Sequence, residues 1–343
     1  MSQYIYTPII KTRDAELKAF ANLKQNIKNS ILPIFELTKS RKTKNIPDGD
    51  IHKRMVEIKK IAGENPFILD LSTNEKYLNP QIETLLSPNN GFYEWVYFLN
   101  SYSHLNIIPM IHIYDDEDFS DIEAFVSSPH LKGRDFAVRL PYDEKNINQF
   151  IDPIIKNLEK SNLYVIIDVG QITSNLDETE ASIKERIIEI NSCRYSKIKI
   201  IVTATSFPKL VGPYGENDGE FPIFEEILYQ KLKKDFNIIY GDYGSVNIEQ
   251  VEIKGGTFIP RIDISLSDKF FYERYRRNEG SYAHCAKKIV KNNKYIPIQS
   301  WADEEIILAS IDAPSGISPS FWIAVRMNYF MTKRVMMRRS EEL

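Results

Sequence analysis

The stretch Pro66-Phe67-Ile68-Leu69-Asp70-Leu71 decides how the rest of the chain is interpreted. It is a short and almost continuous apolar run, which is typical of a β-strand that is buried on both faces. Because side chains alternate between the two faces of a strand, Asp70 lies on the same face as Ile68. The run therefore predicts a buried strand that carries a carboxylate at its carboxyl end.

Seven further runs of this kind occur along the chain, and longer polar segments separate them. In one such segment, apolar residues recur at positions 51, 55, 58 and 61, which is the spacing of a helix face. Strands that alternate with helices indicate βαβ units and a parallel sheet. The eight runs lie at 4–11, 31–37, 66–71, 106–113, 135–140, 163–169, 198–205 and 238–242, and helices are predicted at 13–22, 51–61, 118–126, 146–158, 178–190 and 221–236.

Eight strand–helix units in roughly 250 residues match a closed (β/α)8 barrel. An open, doubly wound sheet is the alternative, but it usually has a glycine-rich turn after its first strand. Here the first run ends in Ile10-Lys11-Thr12-Arg13, without a glycine. The sequence thus predicts an α/β fold with a TIM-like (β/α)8 barrel over residues 1–250. Residues 251–343 are expected to form a basic, aromatic-rich α+β extension that packs on the barrel as part of the same unit.

The extension has its own predicted elements and an uneven charge. A strand is expected at 257–264, helices near 281–291 and 302–310, and a last helix that begins at Ser318-Pro319. Residues 254–339 contain fifteen Lys or Arg and eight Asp or Glu, although the whole chain carries a formal net charge of only −3. This asymmetry indicates either an anionic partner, such as nucleic acid, or a solvated basic face.

Composition also indicates the cellular compartment in which the protein is expected. The two cysteines, Cys193 and Cys285, are far apart and show no metal-binding spacing, which favours free thiols in a reducing environment. No apolar run approaches the ~20 residues needed to span a membrane. The amino-terminal residues show no secretory signal pattern. We therefore expect a cytoplasmic protein without a membrane partner.

A polar or ionisable side chain stands at the carboxyl end of each run. In five runs this residue continues an inward apolar row by the alternation of two, as Glu36 does after Ile34. Barrel active sites lie at the mouth formed by these strand ends and by the loops that follow them. The strand ends are Lys11, Glu36, Asp70, His112, Arg139, Asp168, Thr203 with Thr205 and Ser206, and Asp242.

The residue types suggest roles at this mouth. Glu36, Asp70 and Asp168 could hold Mg²⁺ through carboxylate oxygens. His112 and Asp70 are candidate catalytic groups for acid–base chemistry. The predicted substrate-binding residues are Lys11, Arg139 and Arg261, together with Thr205, Ser206, Asp242, Tyr243 and Gly244 in the loops where many barrels bind phosphate. The alternative is a buried network of ion pairs that performs no chemistry.

The extension holds a second cluster in which aromatic and arginine side chains alternate, as in sites that bind single-stranded nucleic acid or a nucleotide base. Arg261 and Asp263 share a strand face and are expected to line the same mouth. The alternative is that aromatic members such as Trp322 belong to the core of the extension. The cluster consists of Arg261, Asp263, Tyr272, Arg274, Tyr275, Arg276, His284, Trp301, Trp322 and Arg326.

Several short motifs resemble the "beta protein" family of phages and bacteria. They are Tyr4-Ile5-Tyr6-Thr7-Pro8-Ile9-Ile10-Lys11-Thr12-Arg13 with Glu16-Leu17 and Ala19, Ile31-Leu32-Pro33-Ile34-Phe35-Glu36-Leu37, Phe67-Ile68-Leu69-Asp70, Tyr282-Ala283-His284 and Ser300-Trp301-Ala302. Members occur in phages and in bacterial mobile or defence loci. The resemblance implies one unit of this length in a phage or antiviral-defence setting, and it supplies no catalytic residues.

Two functions remain open from the sequence. The first is an enzyme-like barrel that binds a phosphate-bearing ligand, such as a nucleotide or a nucleic-acid end, with metal-dependent phosphoester hydrolysis. The second is a non-catalytic module that binds a protein partner from the same locus. The second predicts that the strand-end residues are locked in mutual ion pairs without an open pocket, and that the surface at residues 270–277 carries the interaction.

Overall fold

A computed structural model describes residues 4–114, 118–249 and 258–341. The barrel strands are β1 Tyr6–Lys11, β2 Ile34–Leu37, β3 Phe67–Leu71, β4 Ile107–Ile111, β5 Phe136–Pro141, β6 Leu163–Gln171, β7 Ile198–Thr205 and β9 Ile239–Asp242. These eight parallel strands close into a barrel, because β9 pairs with both β7 and β1. The predicted (β/α)8 barrel is confirmed, and each strand lies within its predicted run or within two residues of it.

Helices surround the barrel on its outer side. They are α1 Asp14–Ala21, α2 Gln25–Lys28, α3 Ile51–Ala62, α4 Pro80–Leu86, α5 Asn89–Ser101, α6 Ser120–Val126, α7 Asn148–Lys156, α8 Leu176–Asn191 and α9 Phe224–Leu232. The sequence prediction lacked α2, α4 and α5. A capping signal for α4 was nevertheless present, because Asn79 precedes Pro80 and its side chain accepts the N–H of Ile82 at 3.0 Å. No helix in the part of the chain that the structure describes is both long and apolar enough to cross a membrane.

The predicted facing of the strands is also confirmed. One buried cluster fills the inside of the barrel, and it contains the apolar residues that precede the polar strand ends in the alternating pattern. At β9 the inward position after Ile239 is Gly241. A Cβ there would come within 2.6 Å of the Thr203 methyl group and 3.0 Å of the Thr7 carbonyl oxygen. The interior cluster includes Ile9, Ile34, Ile68, Met110, Ala137, Ile166, Ile201 and Ile239.

One predicted element is wrong at its start. The segment 221–236 was expected to be helical throughout, but β8 occupies Asp218–Pro222 and α9 begins only at Phe224. β8 pairs antiparallel with a strand of the extension, β11 (Lys269–Arg274). Phe221 is buried there against Phe207 and Phe270, with ring centroids 5.3 and 5.1 Å apart. Tertiary pairing and aromatic packing therefore override the local helical pattern.

The extension is built around an antiparallel sheet in the order β10-β11-β8, with β10 at Arg261–Ser265 and β11 at Lys269–Arg274. Two helices, α10 Ser281–Lys291 and α11 Trp301–Ser310, follow as predicted. The predicted strand 257–264 corresponds to β10, and Thr257 lies outside the described residues. Because β8 comes from the segment between β7 and α9, the sheet of the extension includes a strand from the barrel side of the predicted boundary at 250.

The last helix, α12 Pro319–Glu341, packs on the barrel and is the helix that follows the last barrel strand, β9, in the helical layer. It contacts α1 and β1, and its residues Met327 and Met331 join the apolar core between the strands and the helices. The side chain of Asn328 donates to the carbonyl oxygen of Ala19 in α1 at 3.0 Å. The chain thus leaves the barrel after β9, forms the small sheet with α10 and α11, and returns to complete the helical layer.

A buried ion cluster holds α12 to its neighbours. Arg334 and Arg338 both pair with Glu226 of α9, and the Arg334 Nη1–Glu226 Oε2 distance is 2.7 Å. Arg334 also donates to the carbonyl oxygens of Leu266 and Ser267 in the turn between β10 and β11. All three charged side chains are almost fully buried. The cluster therefore joins the barrel, α12 and the small sheet at one point.

We predict that Glu226→Gln destabilises the protein by about 3 kcal/mol, because two buried guanidinium groups lose their shared carboxylate. The free energy of unfolding in urea measures this change. The matched control is Asp312→Asn, which breaks the exposed Lys287–Asp312 pair (2.7 Å) and should change the stability only slightly. Equal effects of the two substitutions would contradict the role assigned to Glu226.

Candidate functional site

Arg139 lies at the centre of the charged strand ends. Its Nη2 is 3.0 Å from Oδ2 of Asp70, and its Nη1 is 3.5 Å from Oε2 of Glu36. Both carboxylates are at least 94% buried, which leaves little water to screen the two ion pairs. The structure thus brings together three of the predicted site residues, but it brings them together as an ion-pair network.

Asp168 belongs to the same region and has its own partners. The hydroxyl of Tyr243 lies 2.7 Å from each of its carboxylate oxygens, and Thr203 Oγ1 lies 3.0 Å from Oδ1. The backbone N–H of Gly170 donates to the same oxygen at 3.1 Å. These hydrogen bonds fix the carboxylate at the end of β6. Tyr243 was predicted to bind substrate, but its hydroxyl is hydrogen-bonded to Asp168.

The predicted magnesium ligands do not form a metal site in this arrangement. Among residues 4–114, 118–249 and 258–341, no group of three or more His, Cys, Asp or Glu side chains converges closely enough to hold a metal ion. Arg139 pairs with two of the three proposed ligands, Glu36 and Asp70. A guanidinium group therefore already supplies the positive charge that a magnesium ion was expected to supply.

The two predicted catalytic groups differ in their electrostatics. Burial, together with the charge of Arg139, lowers the pKa of His112 to about 3, so this imidazole is neutral near pH 7. It lies edge-on to Trp95, with ring centroids 6.1 Å apart. Burial raises the pKa of Asp70 to about 6, although Arg139 opposes the shift. Of the two, only Asp70 has a pKa near neutral pH, as general acid–base chemistry requires.

Lys11 lies beside a carboxylate that the sequence analysis did not assign to the site. Glu16, in the first turn of α1, accepts the backbone N–H of Lys11 at 2.6 Å. Burial raises the pKa of Glu16 to about 7, against the influence of Arg13 and Lys11. The Lys11 ammonium group lies 3.4 Å from the carbonyl oxygen of Ile248 and over the ring of Tyr77. The position of Glu16 one turn after a strand end was the signal that could have identified it.

The loop residues predicted to bind phosphate are occupied by internal hydrogen bonds. Asp242 is directed away from the barrel interior, and it accepts the Tyr6 hydroxyl at 2.6 Å and the Gly244 N–H at 2.7 Å. Ser206 is bound to Glu225, and Thr205 Oγ1 donates to the carbonyl oxygen of Val246 at 2.9 Å. Asp242 faces outward because side chains alternate along a strand. Ile239 points inward, so the residue three positions later points outward.

A pocket of about 600 Å³ opens beside the mouth. Its walls come from the loops after β1, β2, β7 and β9 and from the extension, including the start of α12. Its volume is within the range of small-molecule sites. Of the predicted substrate-binding residues, only Arg261 lines it. Among the residues that the structure describes, which exclude 250–257, eight Lys or Arg and four Asp or Glu side chains line it: Arg13, Lys39, Arg41, Lys42, Arg54, Lys209, Arg261 and Arg326 against Asp14, Glu16, Glu249 and Asp263.

Five of these basic side chains pair with carboxylates. Arg13 Nη1 lies 3.7 Å from Glu16 Oε1, and Arg54 pairs with Asp14 and Glu57. Lys209 pairs with Glu249, and Arg261 and Arg326 share Asp263. Arg41 and Lys42, in contrast, are exposed at the rim and form no ion pair with any described residue. The sequence analysis did not identify these two residues, because they lie in a loop without a recognisable motif. Arg326 belongs to the predicted cluster of aromatic and arginine side chains in the extension, but no individual role was predicted for it.

The raised carboxylate pKa values give a prediction for stability. Burial raises the pKa of Asp70 and Asp242 to about 6 and that of Glu16 and Glu225 to about 7. The folded protein therefore holds these protons more tightly than the unfolded chain does. This stabilisation is complete below the ordinary carboxyl pKa near 4 and is lost as the pH rises towards 7.

The free energy of unfolding is expected to fall between pH 4 and pH 6 as the buried carboxyl groups lose their protons. We predict that Asp70→Asn makes this fall smaller, because an asparagine side chain has no carboxyl proton to lose. Urea unfolding at several pH values measures the slope. Asp177→Asn is the control: Asp177 is exposed, and a hydrogen bond from Lys231 lowers its pKa, so its removal should not reduce this fall. An unchanged slope in Asp70→Asn would rule out its proposed contribution.

Comparisons with known proteins support the resemblance seen in the sequence. A family model described as Beta protein matches residues 6–336, which include the barrel strands, the extension and most of α12. "Protein beta" of Enterobacteria phage P4 is 31% identical over 340 residues, covering 97% of this chain and 93% of the phage protein. The match is continuous across the predicted boundary at residue 250. The chain therefore belongs to the Beta protein family.

Proposed function

We propose that the pocket beside the barrel mouth binds a phosphate-bearing ligand, namely a nucleotide or the end of a nucleic-acid strand. The observation that carries this proposal is the excess of basic side chains around a pocket of about 600 Å³. Arginine and lysine are the residues that bind phosphate groups most often, through charge-assisted hydrogen bonds. The exposed Arg41 and Lys42 at the rim provide charge that no described carboxylate neutralises.

Aromatic side chains in the same pocket favour a ligand that also has a ring. Tyr77, Phe207, Phe258, Tyr282 and Trp322 contribute to the walls. Nucleic-acid bases stack on such rings without strict sequence preference. A combination of basic and aromatic side chains was predicted for the extension. In the pocket, this combination includes residues from loops of the barrel as well.

The proposal covers binding and does not include metal-dependent hydrolysis. Arg139 pairs with two of the carboxylates expected to hold magnesium, and burial keeps His112 neutral at physiological pH. Asp70 and Glu16 are the acidic groups near the mouth whose pKa lies between 6 and 7. They would be the groups to examine if turnover of a bound ligand were found.

The alternative, a protein-interaction module, has one observation in its favour. The strand-end residues form the mutual ion pairs that this alternative predicted. It also predicted that no pocket would be open and that residues 270–277 would form the contact surface. However, Phe270, Phe271, Tyr272 and Glu273 are buried in the small sheet, so a partner could reach only the end of this segment. The open pocket favours ligand binding over this alternative.

We predict that Arg41→Ala combined with Lys42→Ala weakens the binding of ATP and of a 5′-phosphorylated single-stranded oligonucleotide about tenfold, or ~1.4 kcal/mol. The loss is expected because two uncompensated positive charges leave the rim. Isothermal titration calorimetry at two salt concentrations measures the affinity and its salt dependence.

The control is Lys59→Ala combined with Lys60→Ala, which removes the same charge from exposed positions on α3 that do not line the pocket. This control should retain most of the affinity. If the wild-type protein binds neither ligand, or if both double variants lose affinity equally, the pocket is not the phosphate site.

A further inference from the structure

One wall of the pocket concentrates positive charge on two arginines, of which Arg326 is buried and Arg261 is 20% exposed. Arg261 Nε lies 2.8 Å from Asp263 Oδ1, and Arg326 Nη1 lies 3.2 Å from Asp263 Oδ2. Two guanidinium groups therefore share one carboxylate. Arg326 is only 7% exposed. Burial lowers its pKa to about 10 despite the nearby Asp263, which indicates that its charge is incompletely compensated.

Two hydrogen-bond donors at this wall have no partner within the described residues. They are Nε of Arg326 and the hydroxyl of Tyr282, and both residues are more than 90% buried and line the pocket. Tyr282 lines the same pocket as Arg261, Asp263 and Arg326. Buried donors without an acceptor cost free energy, and a ligand that supplies an acceptor removes that cost.

The wall is held in place before any ligand arrives. The Arg326 guanidinium lies over the ring of Phe207, 4.0 Å from its centroid. Phe207 in turn packs edge-on against Phe221 and Phe270, with centroids 5.3 and 5.4 Å away. Asp263 is fixed on β10 and aligns both arginines. Such preorganisation reduces the entropy lost when a ligand binds.

Stacked aromatic rings back these donors. The ring of Tyr282 stacks on Trp322 at 4.8 Å, and the Trp322 indole N–H donates to the carbonyl oxygen of Gly316 at 3.0 Å. Both rings belong to the apolar core of the extension. A phosphate inside a nucleic-acid strand has a sugar on each side and needs an open groove. A terminal phosphate has one ester bond and can enter a closed end.

We propose that Arg326, Arg261 and Tyr282 form a subsite for a terminal phosphate monoester, with Asp263 as the positioning residue for the two arginines. This inference rests on the proposed function and specifies its ligand. A terminal phosphate carries up to two negative charges near neutral pH and offers three oxygen acceptors. It therefore matches two guanidinium forks and a hydroxyl better than a singly charged internal diester does.

The test compares ligands that differ only in the terminal phosphate. The first pair is AMP and adenosine, and the second is one single-stranded DNA oligonucleotide with and without a 5′-phosphate. We expect the wild-type protein to bind the phosphorylated member of at least one pair at least tenfold more tightly. A preference confined to AMP identifies a free nucleotide as the ligand, and a preference confined to the oligonucleotide identifies a nucleic-acid end. Equal affinity within both pairs would overturn the inference.

Two substitutions assign the preference to this wall. Arg326→Lys keeps the charge but loses the two-pronged hydrogen bonding of the guanidinium, and it should reduce the preference about tenfold. Tyr282→Phe removes only a hydroxyl that has no partner, so it should lower the preference several-fold while the melting temperature stays constant or rises. A structural role alone would not produce this combination. If Arg326→Lys fails to fold, Tyr282→Phe decides the question by itself.

The outcomes separate this inference from the proposed function. If Arg41→Ala with Lys42→Ala weakens binding but Tyr282→Phe and Arg326→Lys leave the phosphate preference unchanged, the subsite is wrong and the pocket still binds the ligand. If no phosphorylated probe binds the wild-type protein, both proposals fail.

Discussion

Helix α12 is the element on which both the barrel and the pocket depend. Its apolar side chains, such as Met327 and Met331, complete the layer between the barrel strands and the helices. Its arginines point in other directions: Arg334 and Arg338 bind Glu226 of α9, and Arg326 reaches the pocket. Because one rigid helix carries all of these contacts, the position of Arg326 is fixed by the same packing that closes the helical layer. The core therefore supports the wall of the proposed phosphate subsite.

Arginine is used in two different ways in this protein. At the mouth, Arg139 is paired with Asp70 and Glu36, and the additional carboxylate of Asp168 is held by hydroxyl and backbone donors. At the pocket wall, two arginines share the single carboxylate of Asp263. A buried guanidinium that two carboxylates surround offers little to an anionic ligand, whereas an excess of positive charge over carboxylates favours binding of an anion. This difference in charge balance places the proposed site beside the mouth rather than in it.

The basic character of the extension has two distinct origins. Arg326, Arg334 and Arg338 are buried in contacts that join α12 to the small sheet and to α9. These three arginines, which contribute to the local excess of positive charge in the sequence, are therefore not part of an exposed basic face. Some of the positive charge of the extension has a structural role. Arg261 and Arg326 contribute positive charge to the pocket, and loops of the barrel contribute the other basic side chains there.

The sequence by itself determined the barrel, the facing of its strands and the presence of ionisable side chains at the strand ends, because alternation along a strand and the order of strands and helices are local properties. Gly241 and Asp242 illustrate the limit of this local pattern. Alternation correctly placed Asp70 and Arg139 inward. Because Ile239 points inward in the structure, the same alternation puts Gly241 inward and Asp242 outward. Only the tertiary structure decided that β8 joins the small sheet, that α12 packs on the barrel after β9 and that Arg326 meets Asp263. These contacts join residues more than 40 positions apart, and their free energy comes from packing and charge pairing that no local pattern encodes.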